Sequence, residues 1–380
     1  MQRSLGRTCG LASTARLFAL TTILAGATFV LFAPARAEDD DSARAEAFVQ
    51  TNLVSDLGGV AAVTDPMLKN PWGLSHTATS PFWSSNQGTS TATLYAVTNK
   101  TTVMKVNINP PAGDVLIPTT AMAGPQGPTG QVSNSNTASF PVGHGGDGGS
   151  AHFIFANLNG TISAWDTGPT AFVQVTTPGA VYTGLAINGA QTRLYAARAG
   201  GIDVFDASFN PVALGPGAFV NPELPKGLAP FNVRNIGGDI FVTYAPPGRA
   251  NQINAPRGAG AIAIFTENGT FIKQLVAGNR LAAPWGLALA PPSFGRLAGH
   301  LLVGNFSFTA SEINAFSLSS GKFHRTIPVA TPGRPGGLWS LDFGVGGNNG
   351  DPDTLYFTDG INGETDGLFG AISLKQKPDE

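Results

Sequence analysis

The chain has 380 residues, with 22 basic and 24 acidic side chains, a formal net charge of −2 and only 12% charged residues. Phosphate binding requires clustered lysines and arginines, so this sparse charge excludes nucleic acid as an expected partner. The 49 glycines and 28 prolines disfavour long helices, and a single cysteine, Cys9, excludes a disulfide framework and a metal site built on cysteines.

The first 37 residues are typical of a cleaved export signal. Three arginines precede an apolar run over residues 17–32, and Ala-Arg-Ala at 35–37 supplies the small residues of a cleavage site. A membrane anchor is the alternative, but a spanning helix needs ~20 apolar residues and this run is shorter. We expect an exported protein, periplasmic or extracellular, that has no transmembrane helix after cleavage and whose residues 38–46 are disordered.

Short apolar runs rich in Val, Ile, Phe and Tyr recur along the rest of the chain, bounded by Gly, Asn, Asp or Pro, which is the pattern of strands joined by turns. Six of them align, at residues 94–99, 153–158, 194–199, 240–245, 301–306 and 355–360. Gly-Leu pairs open most units, at Gly73, Gly184, Gly227, Gly286 and Gly337. The interval from the first to the last of these glycines, divided by five, gives about 53 residues per unit and therefore six units.

Two of these openings are nearly identical, Asn-Pro-Trp-Gly-Leu at 70–74 and Ala-Pro-Trp-Gly-Leu at 283–287. We interpret both as the start of an innermost strand, where Gly lets neighbouring backbones approach closely. Trp72 and Trp285 are then expected to pack between sheets. A ligand platform made of the same tryptophans is the alternative.

Units of three or four short antiparallel strands, repeated six times without helices, predict an all-β fold, a six-bladed β-propeller. Each blade has two apolar faces that only its neighbours can cover, so the array must close into a ring. Residues 47–57 form an unassigned strand before the first unit. We expect this strand to pair with the C-terminal strand in the last blade, so that residues 47–374 form one domain.

Three further segments stand out along the chain. Residues 107–150 are rich in Pro and Gly and interrupt the repeat, so we expect an irregular insertion. The loop at 245–260 carries Arg249 and Arg257, which with Arg198 offer an anion site, although solvated loop arginines are the ordinary interpretation. Residues 375–380 are a polar tail.

Four long segments, residues 52–95, 228–245, 283–295 and 353–372, resemble an uncharacterised family of exported, mainly bacterial propeller proteins. More distantly, the chain resembles NHL-repeat propellers and the gluconolactonase-like group. The close resemblance implies export and a six-bladed ring. The distant one implies, at the level of the fold alone, a calcium-dependent lactonase with its metal on the ring axis.

Residues at the ends of equivalent strands converge on one mouth of a ring, so the fifth position of the six aligned runs is expected to line the central funnel. These residues are Thr98, Asn157, Arg198, Tyr244, Asn305 and Asp359. Asp359, Asn305 and Asn157 are the candidate Ca²⁺ ligands, but a hard cation prefers several carboxylates and Arg198 would oppose it. Capping of local backbone groups is the alternative role for these side chains.

A second acidic cluster lies near the C-terminus. Asp351, Asp353, Glu364 and Asp366, together with Asp359, offer oxygen ligands for Ca²⁺, although their spacing misses the EF-hand pattern and suits ordinary turns equally. No Gly-x-Ser-x-Gly or His-Glu-x-x-His motif occurs. His76, which follows a unit opening, is a candidate base or a hydrogen-bonded structural histidine.

Two classes of function follow. The first is a monomeric binding module that uses the funnel face and its loops to hold an extracellular protein, a polymer or a small molecule, without a resident cofactor. The second is a cation-dependent hydrolase or lactonase of the gluconolactonase type, with Ca²⁺ on Asp359, Asn305 and Asn157 and His76 as base. The sequence decides neither whether the protein is an enzyme nor which ligand it takes.

Overall fold

The computed structural model describes four stretches of the 380-residue chain, residues 46–108, 113–120, 124–143 and 148–375. The export signal, nearly all of the expected disordered segment 38–46 and nearly all of the polar tail 375–380 lie outside these residues.

The described strands form six sheets, which are the six predicted blades. Blade 1 contains β3 (Pro71–Ser75), β4 (Phe82–Asn86), β5 (Thr91–Thr98), β6 (Thr102–Val106) and β7 (Val115–Leu116). Blade 2 contains β8 (Pro128–Ser133), β9 (Phe153–Asn157), β10 (Thr161–Trp165) and β11 (Phe172–Thr176). Blade 3 contains β12 (Gly184–Ile187), β13 (Arg193–Arg198) and β14 (Gly201–Asp206).

The second half of the ring is built in the same way. Blade 4 contains β15 (Ala229–Ile236), β16 (Asp239–Ala245), β17 (Ala261–Phe265) and β18 (Phe271–Ala277). Blade 5 contains β19 (Pro284–Leu289), β20 (His300–Asn305), β21 (Ile313–Ser317) and β22 (Phe323–Ile327). Blade 6 contains β23 (Leu338–Phe343), β24 (Leu355–Asp359) and β25 (Leu368–Leu374), joined by β1 (Phe48–Ser55) and β2 (Val63–Thr64).

The first and last long strands of the described residues meet in blade 6, as predicted. Strand β1 runs antiparallel to β25, with Phe48 opposite Leu374 and Ser55 opposite Leu368. The outer strand of the last blade therefore comes from the start of the propeller sequence. This pairing closes the ring with backbone hydrogen bonds, so that neither the first nor the last blade is left with an unpaired end.

The core lies in layers between the blades. Six clusters of buried apolar side chains among the described residues each combine two neighbouring blades, and a seventh lies at the centre of the ring. Between blades 6 and 1, for example, Val54 and Tyr356 meet Leu74 and Phe82. This arrangement explains why strands that are apolar on both faces recur along the chain: each face is covered by a different neighbour.

The innermost strands approach one another closely near the axis. A Cβ on Gly73 would clash with the backbone of Thr129 and Gln131 in blade 2, and one on Gly286 would clash with the carbonyl oxygen of Trp339 in blade 6. The role predicted for glycine in the repeated pentapeptide is therefore confirmed. Gly184 has the same role in blade 3, whereas Gly227 and Gly337 precede their inner strands.

Two features of the predicted repeat are wrong. Residues 107–150 are not wholly irregular, because they contain β7 and β8, and β8 is the inner strand of blade 2. The run at 94–99 lies in the third strand of blade 1, whereas the other five aligned runs are second strands. The true second strand, β4, has the sequence Phe-Trp-Ser-Ser-Asn and is too polar to be found by apolar alignment.

Helix is confined to short turns within the described residues: α1 (Arg249–Ile253), α2 (Ile361–Glu364) and a 3₁₀ turn at Gly295–Leu297. None of these has the length or the apolar character needed to cross a bilayer. Both α1 and α2 lie in loops at the end of the ring where the inner strands begin, and they contribute to the site described below.

Replacing Gly286 by Ala tests the close approach of the inner strands. Overpacking against a backbone carbonyl costs roughly 1–3 kcal/mol, so the free energy of unfolding in urea, followed by tryptophan fluorescence, is expected to fall by that amount. Gly189→Ala is the matched control, because a Cβ there meets no atom within 4 Å. Its effect is expected to stay within about 0.5 kcal/mol, and equal losses in both variants would contradict the packing argument.

Candidate functional site

Five aromatic side chains fill the centre of the ring, and we call them the axial aromatic cluster: Trp72, Phe231, Trp285, Phe306 and Trp339. Trp72 stacks on Trp339 with ring centroids 3.5 Å apart, and Trp285 stands edge-on to both, at 6.2 and 5.5 Å. Trp72 belongs to blade 1 and Trp285 to blade 5, and side chains from blades that are not neighbours meet only near the axis. The two tryptophans are core residues, but they pack around the axis rather than between sheets.

Four of the five aromatic residues of the cluster lie near the start of an inner strand, and Phe306 follows the second strand of blade 5. In blades 1, 2, 5 and 6, the first residue of the inner strand pairs with the last residue of the second strand, as in Pro71 with Asn86 and Pro284 with Asn305. The next residue along the inner strand turns to the axis. This residue is aromatic in blades 1, 5 and 6 and is Thr129 in blade 2. Blade 4 has Phe231 as the third residue of its inner strand, where the register shifts, and blade 3 has Thr183 immediately before its inner strand.

Because threonine is much smaller than tryptophan, space remains on the side of blades 2 and 3. A cavity of about 530 Å³ opens there, at the end of the ring where the inner strands begin. Trp72 and Phe231 of the axial aromatic cluster form part of its wall. Its other walls are mainly apolar and include Pro125, Leu158, Val181, Thr183, Ala199, Pro230 and Ala245. We call this space the axial cavity.

The polar groups of the axial cavity are few: Asn70, Gln87, Arg249, Gln252 and Glu364. Asn70 is fixed in place, because it accepts a hydrogen bond from Nε1 of Trp339 at 3.0 Å and donates one to Gln87 at 2.9 Å. Arg249 and Gln252 lie on α1, and Glu364 ends α2. A largely apolar wall with a few fixed polar groups is the usual composition of a small-molecule site.

Arg249 and Glu364 form an ion pair in the wall of the axial cavity. The guanidinium lies 4.7 Å from the ring centroid of Phe306 and 5.3 Å from that of Phe308. Its partial burial lowers the pKa of Arg249 to about 10, which leaves it charged at neutral pH. The Glu364 side chain is only 9% exposed. Glu364 was predicted only as a candidate metal ligand or a turn residue, and no signal in the sequence indicates its pairing with Arg249.

The Glu364 side chain is held by an unusual backbone. Asn362, Gly363 and Glu364 have φ angles of 56°, 72° and 69°, three consecutive left-handed residues of which two carry a side chain. Asn362 stabilises the turn, because it donates to Asp366 at 2.9 Å and accepts from the backbone N–H of Arg334 at 3.0 Å. Such conformations are costly for residues with a side chain and persist where the surrounding structure fixes them, so the turn holds Glu364 in a defined position.

The predicted column of funnel residues does not face the axis. Asn157 donates to Thr161 and Ser163 within its own blade, at 3.0 and 3.2 Å, and is 1% exposed. Asn305, fully buried, donates to the carbonyl of Arg280 at 2.8 Å. The physical reason is alternation: side chains of successive residues point to opposite faces. The residues one position later, Leu158, Ala199 and Ala245, line the axial cavity instead.

The other residues of the predicted column do not line the axial cavity either. Arg198 pairs with Asp203 at 2.8 Å, and Tyr244 is buried with a pKa raised by burial. Thr98 lies at the exposed end of the third strand of blade 1 and is not part of the column. Asn86 holds the equivalent position and, like Asn157, donates to threonine hydroxyls in its own blade, at 2.9 and 3.2 Å.

Asp359 is the one carboxylate of that column, and it is fully buried. It accepts hydrogen bonds from the Thr331 hydroxyl at 3.2 Å and from the backbone N–H of Gly337. Burial raises the pKa of Asp359 to about 6, against the effect of these donors. These are local contacts of the capping kind, which is the predicted alternative to Ca²⁺ binding.

His76 lies at the opposite end of the ring, after the end of β3. Its two ring nitrogens face the carbonyl oxygens of Thr77 at 2.9 Å and Phe343 at 3.2 Å. It lines a second cavity, of about 280 Å³, beside an ion pair of Arg234 and Asp342 at 3.0 Å. The length of the inner strands therefore separates His76 from Asn157, Asn305 and Asp359, so these residues do not form one hydrolytic site.

The C-terminal acidic cluster is also divided. Asp351 and Asp353 precede β24, and Asp351 accepts a hydrogen bond from the backbone N–H of Asp353 at 2.9 Å. Glu364 and Asp366 follow β24 at its other end, and Asp366 lies 3.5 Å from Lys69. Within the described ranges, no group of three or more His, Cys, Asp or Glu side chains is placed to hold a metal ion together.

The three arginines considered as an anion site each have a different carboxylate partner. Arg198 pairs with Asp203, Arg249 with Glu364 and Arg257 with Glu312, the last through two contacts at 3.0 and 2.6 Å.

No protein-family profile matches the chain. Two uncharacterised proteins of Acanthamoeba polyphaga mimivirus are 29% identical over 343 residues and 28% identical over 339 residues, and each match covers 85% of this chain. These matches cover 80% and 85% of the viral proteins. A third mimivirus protein is 31% identical over 202 residues, but this chain spans only 37% of its length. The relatives are viral, so membership of a bacterial family stays a prediction.

Among solved structures, a protein of unknown function from Bacteroides thetaiotaomicron is similar over 87% of this chain and 77% of its own, with a TM-score of 0.53 and 8% identity. This similarity concerns the fold alone. A gluconolactonase from Xanthomonas campestris matches 59% of this chain and 82% of its own, with a TM-score of 0.37 and 17% identity. That similarity is distant and carries over no activity.

The buried Asp359 carboxyl gives a prediction about pH. Its raised pKa means that the native protein keeps a proton that the unfolded chain releases between pH 3.8 and about 6. Stability is therefore lost as the pH rises through this window, by up to about 3 kcal/mol. Asp359→Asn is expected to raise the free energy of unfolding at pH 8, by roughly 1–3 kcal/mol, and to give no gain at pH 4.

Urea unfolding at both pH values measures this difference. Asp206→Asn is the control of opposite sign. Burial alone would raise the pKa of Asp206, but hydrogen bonds from the backbone N–H groups of Ser208 and Asn210 lower it overall. Replacement of Asp206 is therefore expected to reduce the free energy of unfolding at pH 8. An equal effect of Asp359→Asn at pH 4 and pH 8 would show that the carboxyl is not neutralised by burial.

Proposed function

We propose that the protein is a monomeric binding module that takes a small, largely apolar molecule into the axial cavity. The observation that carries this proposal is the cavity itself: about 530 Å³, with aromatic and aliphatic walls and a few fixed polar groups. Such a volume suits a molecule of ordinary cofactor or drug size. Trp72 and Phe231 contribute the small uncovered parts of their rings to the apolar wall around its body.

The rigidity of the walls supports binding. Trp72 is held by stacking on Trp339, and Thr183 is fixed because its hydroxyl donates to the carbonyl of Phe231 at 2.6 Å. A pocket whose walls are already ordered loses little conformational entropy when it binds a ligand. The axial aromatic cluster also blocks the centre of the ring, so a ligand would enter from the end where the inner strands begin.

A cation-dependent hydrolase of the gluconolactonase type is the second class of function considered from the sequence. No contact described above favours it over binding. We therefore propose binding as the function of the axial cavity, with Ca²⁺ having no part in it.

We further propose that the protein acts outside the cytoplasm, as a periplasmic or secreted protein. The support is the sequence of the first 37 residues: a basic start, an apolar run and Ala-Arg-Ala at 35–37. The ligand would then be a molecule of the extracytoplasmic space. Blocked cleavage is the direct test of this proposal.

When the full chain is expressed in a Gram-negative bacterium, mass spectrometry is expected to find a mature protein that begins at Glu38 in the periplasm or the medium. The small side chains of Ala35 and Ala37 fit the cleavage enzyme, so Ala35→Leu with Ala37→Leu is expected to leave the signal attached. Full-length protein found uncleaved in the cytosol of the unaltered strain would contradict export.

Val181→Trp tests binding in the axial cavity. Val181 lines the cavity and is 41% exposed, so an indole there is expected to fill the entrance. Affinity for 4-phenylbutan-1-ol, measured by isothermal titration calorimetry on the mature protein, is expected to fall at least tenfold, about 1.4 kcal/mol. Val173→Trp, also at a position 41% exposed but on the outer strand β11, is expected to bind as the unaltered protein does. Equal binding by both variants would place the ligand elsewhere.

A further inference from the structure

The axial cavity contains two buried polar atoms without a hydrogen-bond partner among the described residues. One is a donor, Nε1 of Trp72, and the other is an acceptor, Oε1 of Glu364. Trp72 is 4% exposed and the Glu364 side chain 9%. A buried donor or acceptor that lacks a partner destabilises the folded state. Both atoms belong to residues of the cavity wall but have almost no accessible surface themselves. A molecule in the cavity supplies an acceptor to Trp72 and a donor to Glu364 when these side chains turn towards it.

The same cavity is balanced in charge. Among the described residues of its wall, Arg249 is the one cation and Glu364 is the one anion, and they are paired. The remaining polar residues of the wall are uncharged: the amides Asn70, Gln87 and Gln252 and the hydroxyl residue Thr183. A charged ligand would therefore bring an unbalanced charge into a largely apolar space, which is costly.

Arg249 does not need a ligand to satisfy its hydrogen-bond donors. Its guanidinium lies over the rings of Phe306 and Phe308 and its side chain is 45% exposed, so its free N–H groups reach water. The oxygen of Glu364 does not. The unmet requirement in the cavity is thus for a hydrogen-bond donor to Glu364 rather than for an anion on Arg249.

We infer that the ligand of the axial cavity is an uncharged molecule with an apolar body and one or more hydroxyl groups, which donate to Glu364 and accept from Trp72. This inference rests on the proposed binding function and specifies the chemical class of the ligand. The hydroxyl group fits both orphan atoms, because it is a donor and an acceptor at once. The Arg249–Glu364 pair sets the preference for zero charge.

Four probes with the same phenylbutyl body separate these features: 4-phenylbutan-1-ol, 4-phenylbutyl methyl ether, 4-phenylbutylammonium and 4-phenylbutanoate. Each is titrated into the mature protein at pH 7.5 and followed by calorimetry. The alcohol is expected to bind about tenfold more tightly than the ether, which cannot donate to Glu364. It is also expected to bind about tenfold more tightly than either ion, because only the alcohol leaves the charge of the cavity balanced.

Substitutions at the two charged residues are then expected to change which of the four probes binds most tightly. Glu364→Gln leaves Arg249 without its counter-ion and is expected to make 4-phenylbutanoate the tightest probe. Arg249→Gln leaves Glu364 unbalanced and is expected to favour 4-phenylbutylammonium. The double variant, which removes both charges, is expected to restore the preference for the neutral alcohol over both ions. Glu312→Gln alters an Arg–Glu pair of the same type outside the cavity and is expected to keep the original order.

The possible failures are distinguishable. If none of the four probes binds, the proposed binding function is overturned together with this inference. If the probes bind but the alcohol has no advantage over the ether or the ions, binding stands and the ligand class is wrong. An order of affinities that Glu364→Gln and Arg249→Gln leave unchanged would also overturn the role assigned to the ion pair.

Discussion

The architecture depends on how closely the inner strands of neighbouring blades approach one another. At several interfaces the third position of the inner strand has no room for a Cβ, because the backbone of the next blade occupies that space, as at Gly73 and Gly286. Side-chain hydrogen bonds add to this contact. Thr358 donates to the carbonyl of Trp72 at 2.7 Å and Asn232 to that of Trp285 at 2.8 Å. A tight inner circle of this kind leaves an axis narrow enough to be filled by side chains.

The position of the binding site follows from that narrow axis. Aromatic residues near the start of the inner strand of four blades fill the centre, and the threonines of blades 2 and 3 leave the remaining space as a cavity beside them. The loops at this end then add the polar groups. Arg249 comes from α1 and Glu364 from α2, and their pairing gives a largely apolar space a fixed and balanced pair of charges. The rigid scaffold and the variable loops thus have separate roles.

Most charges considered for catalysis or metal binding have a structural partner. Arg198 is held by Asp203, and Lys69 lies within 2.6 Å of Asp56 and 3.5 Å of Asp366. Asp359 is fully buried and accepts local hydrogen bonds. Oδ1 of Asp359 lacks a hydrogen-bond partner among the described residues, as do Nε1 of Trp72 and Oε1 of Glu364, but of these three residues only Trp72 and Glu364 line the axial cavity. The ligand is therefore assigned to the cavity and not to the acidic loop.

The sequence by itself determined the six-bladed all-β ring, its closure by β1 and β25, and the role of glycine in the repeated pentapeptide, because strand periodicity, turn residues and repeats are local signals. The residues that line the cavity lie one position after those predicted from the sequence. Asn157 makes hydrogen bonds within its own blade, and the next residue, Leu158, lines the cavity. Strands β4 and β8, which are polar or rich in small residues, were not predicted either. Only the tertiary structure joined Arg249 to Glu364, which are distant in sequence, because their meeting depends on closure of the whole ring.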